Sequence, residues 1–211
     1  MILLASNNTH KIRELSAIFK DQEIMSAQTI IPDFDPEETG VSFLENSLIK
    51  AQYLYSCLNA RKDTEKLPLI IADDSGISVD ALNGEPGIYS ARFGQEHGPL
   101  NSAEQNSLLL SRLEGIPAGA QRSARYICCM TILADENRVY TVQETWEGKI
   151  ALEASSGTSG FGYDPIFFLP DLSCTAADIS DEEKNRLSHR GKAARAIAAV
   201  LPCLLNRPHT Y

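Results

Sequence analysis

Apolar and polar positions fall in blocks of differing period along the chain, and these blocks predict strands and helices in turn. Met1–Ala5 is short and almost wholly apolar, which suits a buried strand. The polar stretch Ser6–His10 leads into a helix that gathers Ile12, Leu15, Ile18 and Phe19 on one face. Ser42-Phe43-Leu44-Glu45 has capping-box spacing and predicts a second helix to about Leu58. Leu69–Ala72 reads as another short buried strand, ending in Asp73-Asp74-Ser75-Gly76.

The second half continues the alternation. Leu100–Leu113 predicts a helix stopped by Gly115 and Pro117. Ala124–Leu133 and Arg138–Trp146 read as long strands joined at Asp135-Glu136-Asn137, a hairpin and a candidate second lobe. Ile166–Leu169 is a short strand after a glycine-rich loop, and Ser180-Asp181-Glu182-Glu183 offers a second capping box. After a break at Ser188–Gly191, Lys192–Leu205 forms an Ala-rich helix that Pro202 ends or kinks. There is no repeat, low-complexity tract or linker, so residues 1–211 read as one α/β domain with a mixed sheet.

Composition narrows the partners. With 211 residues, 43% hydrophobic and 22% charged, the chain has a globular profile. A net charge of −9 argues against nucleic acid and anionic membrane, because a phosphate backbone would be repelled. A small anion remains acceptable where lysines and arginines converge. No apolar run approaches the ~18 residues that span a bilayer, and Met1–Ala5 lacks the basic leader of a signal peptide. Cys57, Cys128, Cys129, Cys174 and Cys203 show no Cys-x-x-Cys spacing, which predicts reduced thiols and a cytoplasmic location.

Five stretches carry candidate chemistry. Ser6-Asn7-Asn8-Thr9-His10-Lys11 joins a strand end to a helix start, where backbone N–H groups and the helix dipole suit a phosphate; ordinary capping explains Ser and Asn equally. Asp73 and Asp74 at a strand end suit a divalent cation or an activated water, against the alternative of a solvated turn. Glu37 and Glu38 lead towards Glu45, Asn46 and Lys50; Asn46 and Lys50 share a helix face, while Glu45 has an alternative as a cap. Gly157–Pro165 sets glycines around Phe161 and Tyr163, allowing close backbone approach beside rings on which a base could stack. It is neither a Walker loop nor a Rossmann fingerprint. Lys184, Ser188, His189, Arg190 and Gly191 form the fifth stretch, basic in an acidic chain.

In this order and over nearly the whole chain, the five stretches, with Pro86–Arg92 between them, resemble the inosine triphosphate pyrophosphatase family (Ham1-like dITP/XTP pyrophosphatases). The resemblance implies a Mg²⁺-dependent homodimeric enzyme that cleaves ITP, dITP or XTP to the monophosphate and pyrophosphate. It implies a long mixed sheet flanked by helices, with two lobes and a central nucleotide cleft. By motif, Ser6, Asn7, Asn8, Thr9, His10 and Lys11 would cradle phosphates with help from Lys50, and Ser75 would touch substrate. Asp74 would be the general base and a metal ligand, with Glu45 and Glu38 completing the metal's carboxylates. Phe161, Gly162, Tyr163, Asp164, Lys184, His189 and Arg190 would form the base and sugar pocket. A donor from His189 or Arg190 to O6 would favour inosine and xanthosine over adenine. The rival readings are a nucleotide sensor that does not hydrolyse and a pyrophosphatase for modified pyrimidine triphosphates.

Overall fold

The computed structural model describes residues 1–61 and 67–205. Its strands are β1 (Ile2–Leu4), β2 (Ile24–Ser26), β3 (Leu69–Val79), β4 (Ser123–Asp135), β5 (Arg138–Ile150), β6 (Phe167–Leu169) and β7 (Cys174–Thr175). Its α-helices are α1 (Thr9–Ile18), α2 (Phe43–Ala60), α3 (Ser102–Arg112), α4 (Asp181–Leu187) and α5 (His189–Leu205). The strands form one seven-stranded sheet in the order β2-β1-β3-β4-β5-β6-β7. β1 pairs in parallel with both β2 and β3, Leu3 lying opposite Met25 and Ile70, while β6 pairs antiparallel with β5 and β7. The expected mixed α/β sheet is therefore present.

Contacts group the chain into two compact units. The first comprises Met1–Asp74, Cys128–Glu144 and Arg190–Tyr211; the second comprises Ser75–Ile127 and Thr145–His189. In the first unit, β1 and β3 present alternate residues to two cores. Ile2, Leu4 and Ile71 pack with Leu15 of α1, Met130 of β4 and Ile197 of α5. Leu3 and Ile70 pack instead with Leu54 and Leu58 of α2. The second unit has its own core, in which Ile77 and Leu109 join Tyr126, Trp146, Ile166 and Phe167.

Three local expectations change. β3 does not end at the aspartates but runs through Asp73 and Asp74 to Val79, both carboxylates being buried. Side chains on a strand alternate in direction, so the two neighbours reach different cations, and each charge is compensated separately. The hairpin is not a lobe of its own: residues 128–144 group with the first unit, where Cys128, Met130 and Ile132 join its core. The final helix begins at His189 rather than Lys192 and continues past Pro202 to Leu205. A proline this close to a helix end removes only one ladder bond from the last turns.

Candidate active site

In the first unit, the β1–α1 turn is built by short side-chain bonds. Ser6 Oγ accepts from the N–H of Asn8, and Asn8 Oδ1 caps α1 by accepting from His10 N (2.9 Å) and Lys11 N (3.3 Å). Asn7 Nδ2 donates to Phe34 O at 2.6 Å. Asn7, Asn8, Thr9 and His10 are exposed, and Ser6 is half-buried. Lys11 turns inward, its Nζ meeting Asp73 Oδ1 and donating to the Asp73 carbonyl at 3.3 Å.

Asp73 is fully buried and gathers three donors. Besides Lys11, Arg190 Nε donates to its Oδ2 at 2.9 Å, and the Cys128 thiol lies 3.3 Å from the same oxygen. Burial works to raise this carboxyl, but Arg190 and then Lys11 hold it far below the ordinary range. Arg190 is equally committed: its Nη1 donates to Glu14 Oε2 at 2.5 Å, and burial fails to offset the two carboxylates, which hold the guanidinium above its ordinary value.

Asp74 belongs to a second set. Lys50 Nζ donates to Asp74 Oδ1 at 2.7 Å and to Glu38 Oε1 at 3.1 Å, bridging two carboxylates. Asn46 Nδ2 lies 3.4 Å from Asp74 Oδ2 and its Oδ1 accepts from Gly40 N at 2.9 Å. A Cβ at Gly40 would come within 2.6 Å of that Oδ1, so glycine lets the chain close onto α2. Burial raises the Asp74 carboxyl above its ordinary value, and Lys50 offsets this only in part. For Lys50, burial works downward, but Asp74 and then Glu38 prevail and hold the ammonium above its ordinary value. Glu45 differs from both: Ser42 caps α2 as expected, yet Glu45 Oε2 accepts from Val41 N at 2.7 Å, and its side chain is exposed.

In the second unit, the glycine-aromatic loop closes around Asp164. Oδ2 accepts from Lys184 Nζ at 2.7 Å and from the N–H of Phe161 at 2.7 Å, while Oδ1 accepts from Tyr126 OH at 3.1 Å. Lys184 Nζ also lies 4.7 Å from the centre of the Phe161 ring, a cation–π contact. His189 is buried and stacks on Tyr126, centroids 4.7 Å apart and planes within 7°. Tyr163 OH donates to Ser90 O at 2.8 Å, and Asn106 Nδ2 donates to Gly162 O at 3.1 Å. Ser75 is half-buried, the residue after Asp74 on β3.

The expected residues therefore fall into three sets: Lys11 with Asp73 and Arg190, Lys50 with Asp74 and Glu38, and Phe161 with Asp164 and Lys184. Arg190 is found among carboxylates of the first unit, and Glu45 has an oxygen committed to its own helix start. Cys128, Tyr126 and Glu14 are not among the expected site residues, and Asn46, which is among the candidates, has no expected role. Asn46 stands on the same helix face as Lys50, a signal available in the sequence; the others are brought in from 38 to 176 residues away and have none.

A mixed sheet flanked by helices, with two buried aspartates on its third strand held by separate cations, defines the class: an α/β protein whose charged interior is compensated group by group. Comparison with known sequences narrows it. The Ham1 family pattern matches residues 2–200, and the chain belongs to that family. A dITP/XTP pyrophosphatase of Treponema denticola is 48% identical over 201 residues, covering 95% of this chain and 97% of that protein. Another, from Thioalkalivibrio sulfidiphilus, is 48% identical over 204 residues, 93% and 95% of the two chains. The solved Staphylococcus aureus Ham1 protein matches with TM-score 0.80 and 39% identity over 96% of this chain and 98% of that one. A Coxiella burnetii HAM1 protein matches equally, TM-score 0.80, at 38% identity over 95% and 98%.

Proposed function

We propose that this chain is a nucleoside triphosphate pyrophosphatase that hydrolyses the non-standard purine triphosphates ITP, dITP and XTP to monophosphate and pyrophosphate. The observation that carries the reading is Asp74: a buried carboxylate, raised above its ordinary value, held at 2.7 Å by a buried lysine that also meets Glu38. A raised carboxyl is a stronger base than an exposed one. The family supports the same reading, since its relatives at 48% identity are named dITP/XTP pyrophosphatases.

Magnesium fits the donor set. Mg²⁺ is usually held by one or two carboxylates, with water and substrate phosphates filling the other positions. Among the described residues no group of three or more His, Cys, Asp or Glu forms a ready cage, whereas Asp74 and Glu38 supply two hard oxygen donors on one lysine. Asp74 and Glu38 would hold the ion, with Glu45 joining while one of its oxygens stays on Val41 N–H. Bound there, Mg²⁺ would neutralise phosphate charge and lower the pKa of a coordinated water.

The chain's own residues do the rest. Asp74 accepts the proton of the attacking water, whose oxygen bonds to the α-phosphorus as the bond to the bridging oxygen breaks. The leaving pyrophosphate keeps that electron pair. Ser6 to Lys11 and Lys50 hold the phosphates through N–H groups and ammonium charge, and Ser75 contacts the substrate. Phe161 stacks on the base; Gly162, Tyr163 and Asp164 shape its pocket; Lys184 and His189 supply donors to it and to the sugar. Arg190 holds Asp73.

We place this activity in the cytoplasm, on a homodimer. The described cysteines are all free, and no described helix is long and apolar enough to cross a membrane.

The test is pyrophosphate release from ITP, XTP, dITP, GTP, ATP and a modified pyrimidine triphosphate, with and without Mg²⁺, by wild type and Asp74→Asn. Metal-dependent release confined to the first three, and lost in Asp74→Asn, is expected. Binding without release would establish a sensor, and preference for the pyrimidine would move the substrate class. Near-normal turnover by Asp74→Asn would remove the general-base role.

A further inference from the structure

The chain entering the aromatic loop is tied down by a polar relay that none of the roles above uses. On β7, Thr175 donates both its hydroxyl (2.7 Å) and its N–H (2.8 Å) to Asp178 Oδ2. Ser155 Oγ lies 2.8 Å from Thr175 Oγ1, and the N–H of Gly157 donates to Ser155 Oγ at 3.2 Å. The two bonds from Thr175 draw the Asp178 carboxyl below its ordinary value, so it is ionised at neutral pH.

An ionised carboxylate only accepts, and this fixes the direction of every bond behind it. The single hydroxyl hydrogen of Thr175 is used on Asp178. Ser155 therefore turns its hydrogen towards Thr175 Oγ1 or the carboxylate beside it, which leaves its lone pairs to accept from Gly157. Gly157 packs directly against the chain that follows β7, since a Cβ there would overlap the backbone of Ala177 and the Asp178 carboxylate. Two further backbone bonds complete the seam: Ser159 N–H to Ala177 O (3.1 Å) and Ala177 N–H to Asp164 O (3.2 Å).

We propose that Asp178, Thr175 and Ser155 are positioning residues for nucleotide recognition, fixing through Gly157 the loop that presents Phe161 and Asp164 and, through Asp164, Lys184. The inference rests on the proposed assignment of those residues to the base. Its consequence is kinetic: loosening the relay weakens the hold on the substrate and leaves the chemistry at Asp74 intact.

The test compares Thr175→Val, which removes the hydroxyl at nearly constant shape, with Thr175→Ser, which keeps it. Steady-state release of pyrophosphate from ITP is measured beside hydrogen exchange of residues 157–164 in the protein without nucleotide. Loss of the hydroxyl's bond to the ionised Asp178 predicts a KM raised ~10-fold or more with kcat within ~2-fold, and loop exchange faster by a similar factor. Thr175→Ser is expected within ~2-fold of wild type on both measures. A folded Thr175→Val protein with unchanged KM, or with unchanged loop exchange, overturns the proposal. If Thr175→Val fails to fold, Ser155→Ala carries the same expectation and the same refutation. Should wild type release no pyrophosphate from ITP, the proposed function fails, while the exchange measurement still decides whether the relay holds the loop.

Discussion

Asp73 and Arg190, 117 residues apart in sequence, meet at 2.9 Å with both side chains buried. The contact joins the third strand to the start of the last helix inside the first unit, and it leaves a large charge with nowhere else to go. Breaking one member of such a pair strands the other, which typically costs about 3–5 kcal/mol. Arg190→Met should therefore destabilise the protein by that order, read as a lower denaturant midpoint. The sign with pH follows from Asp73, whose carboxyl is depressed in the folded state. Its contribution is present above the unfolded pKa and is lost as pH falls towards the folded one. Wild-type stability should consequently fall more than that of Arg190→Met between about pH 5 and about pH 3.

Asp74 gives the opposite expectation. Its carboxyl is raised by burial, so the ionised form is held at a cost to the fold. Asp74→Asn removes that charge while keeping the shape. It should lower kcat by ~10²–10⁴, the usual contribution of a general base, with a Tm at neutral pH no lower than wild type. A large drop in Tm would show that the Lys50 pair stabilises the fold more than burial of the charge costs it.

The same pair sets the acid side of the rate profile. A base works when ionised, so a raised Asp74 places the acid-side half-point of kcat/KM above the ordinary carboxylate value of ~3.9. Lys50 is what pulls Asp74 down. Lys50→Met should move the half-point to higher pH, so that activity is lost more on the acid limb of the profile than on its plateau. A profile that keeps its half-point in this variant would assign the limb to another group.

Gly160 and Gly162 allow a controlled comparison. Both have positive φ, 75° and 64°, so alanine at either is strained by ~1–2 kcal/mol. At Gly162 nothing lies within 4 Å of an added Cβ, whereas at Gly160 it would overlap Asp164 Oδ2 and come within 3.1 Å of Lys184 Nζ. Gly160→Ala should therefore be the less stable of the two in denaturant melts and should also raise KM for ITP. Equal effects would mean that the Asp164–Lys184 pair yields without consequence.

Much of this was legible before the structure. The period of apolar residues marked β1, α1, α2, α3 and the hairpin, because each has an amphipathic or wholly apolar signature that burial enforces. β2 escaped because Ile24–Ser26 is three half-buried residues whose strand state depends on pairing with β1. The extension of β3 through Asp73-Asp74 escaped for a different reason. Aspartate disfavours strands, and it is Arg190, Lys11 and Lys50, remote in sequence, that compensate the buried charges. The position of Arg190 among carboxylates was equally beyond a local reading, since Ser188-His189-Arg190-Gly191 contains no acid.

Arg122 shows how a buried charge can serve without a counter-charge among the described residues. Its guanidinium donates to four backbone carbonyls: Ile150 O at 2.9 Å, Leu113 O at 3.0 Å, Ile116 O at 3.2 Å and Ala151 O at 2.7 Å. Burial lowers its pKa from the ordinary value, though a guanidinium stays charged at any working pH. These carbonyls close α3 and end β5, so the single side chain pins two element ends of the second unit. Lysine carries three N–H donors on one nitrogen where arginine has a planar fork of five, so Arg122→Lys leaves at least one of the four carbonyls without a donor. At ~1–3 kcal/mol for each unmet buried group, the variant should lose at least that much, seen as a lower denaturant midpoint. Arg122→Met should lose more, because all four carbonyls are then stranded. If lysine proved as stable as arginine, the fork would not be what holds these ends together.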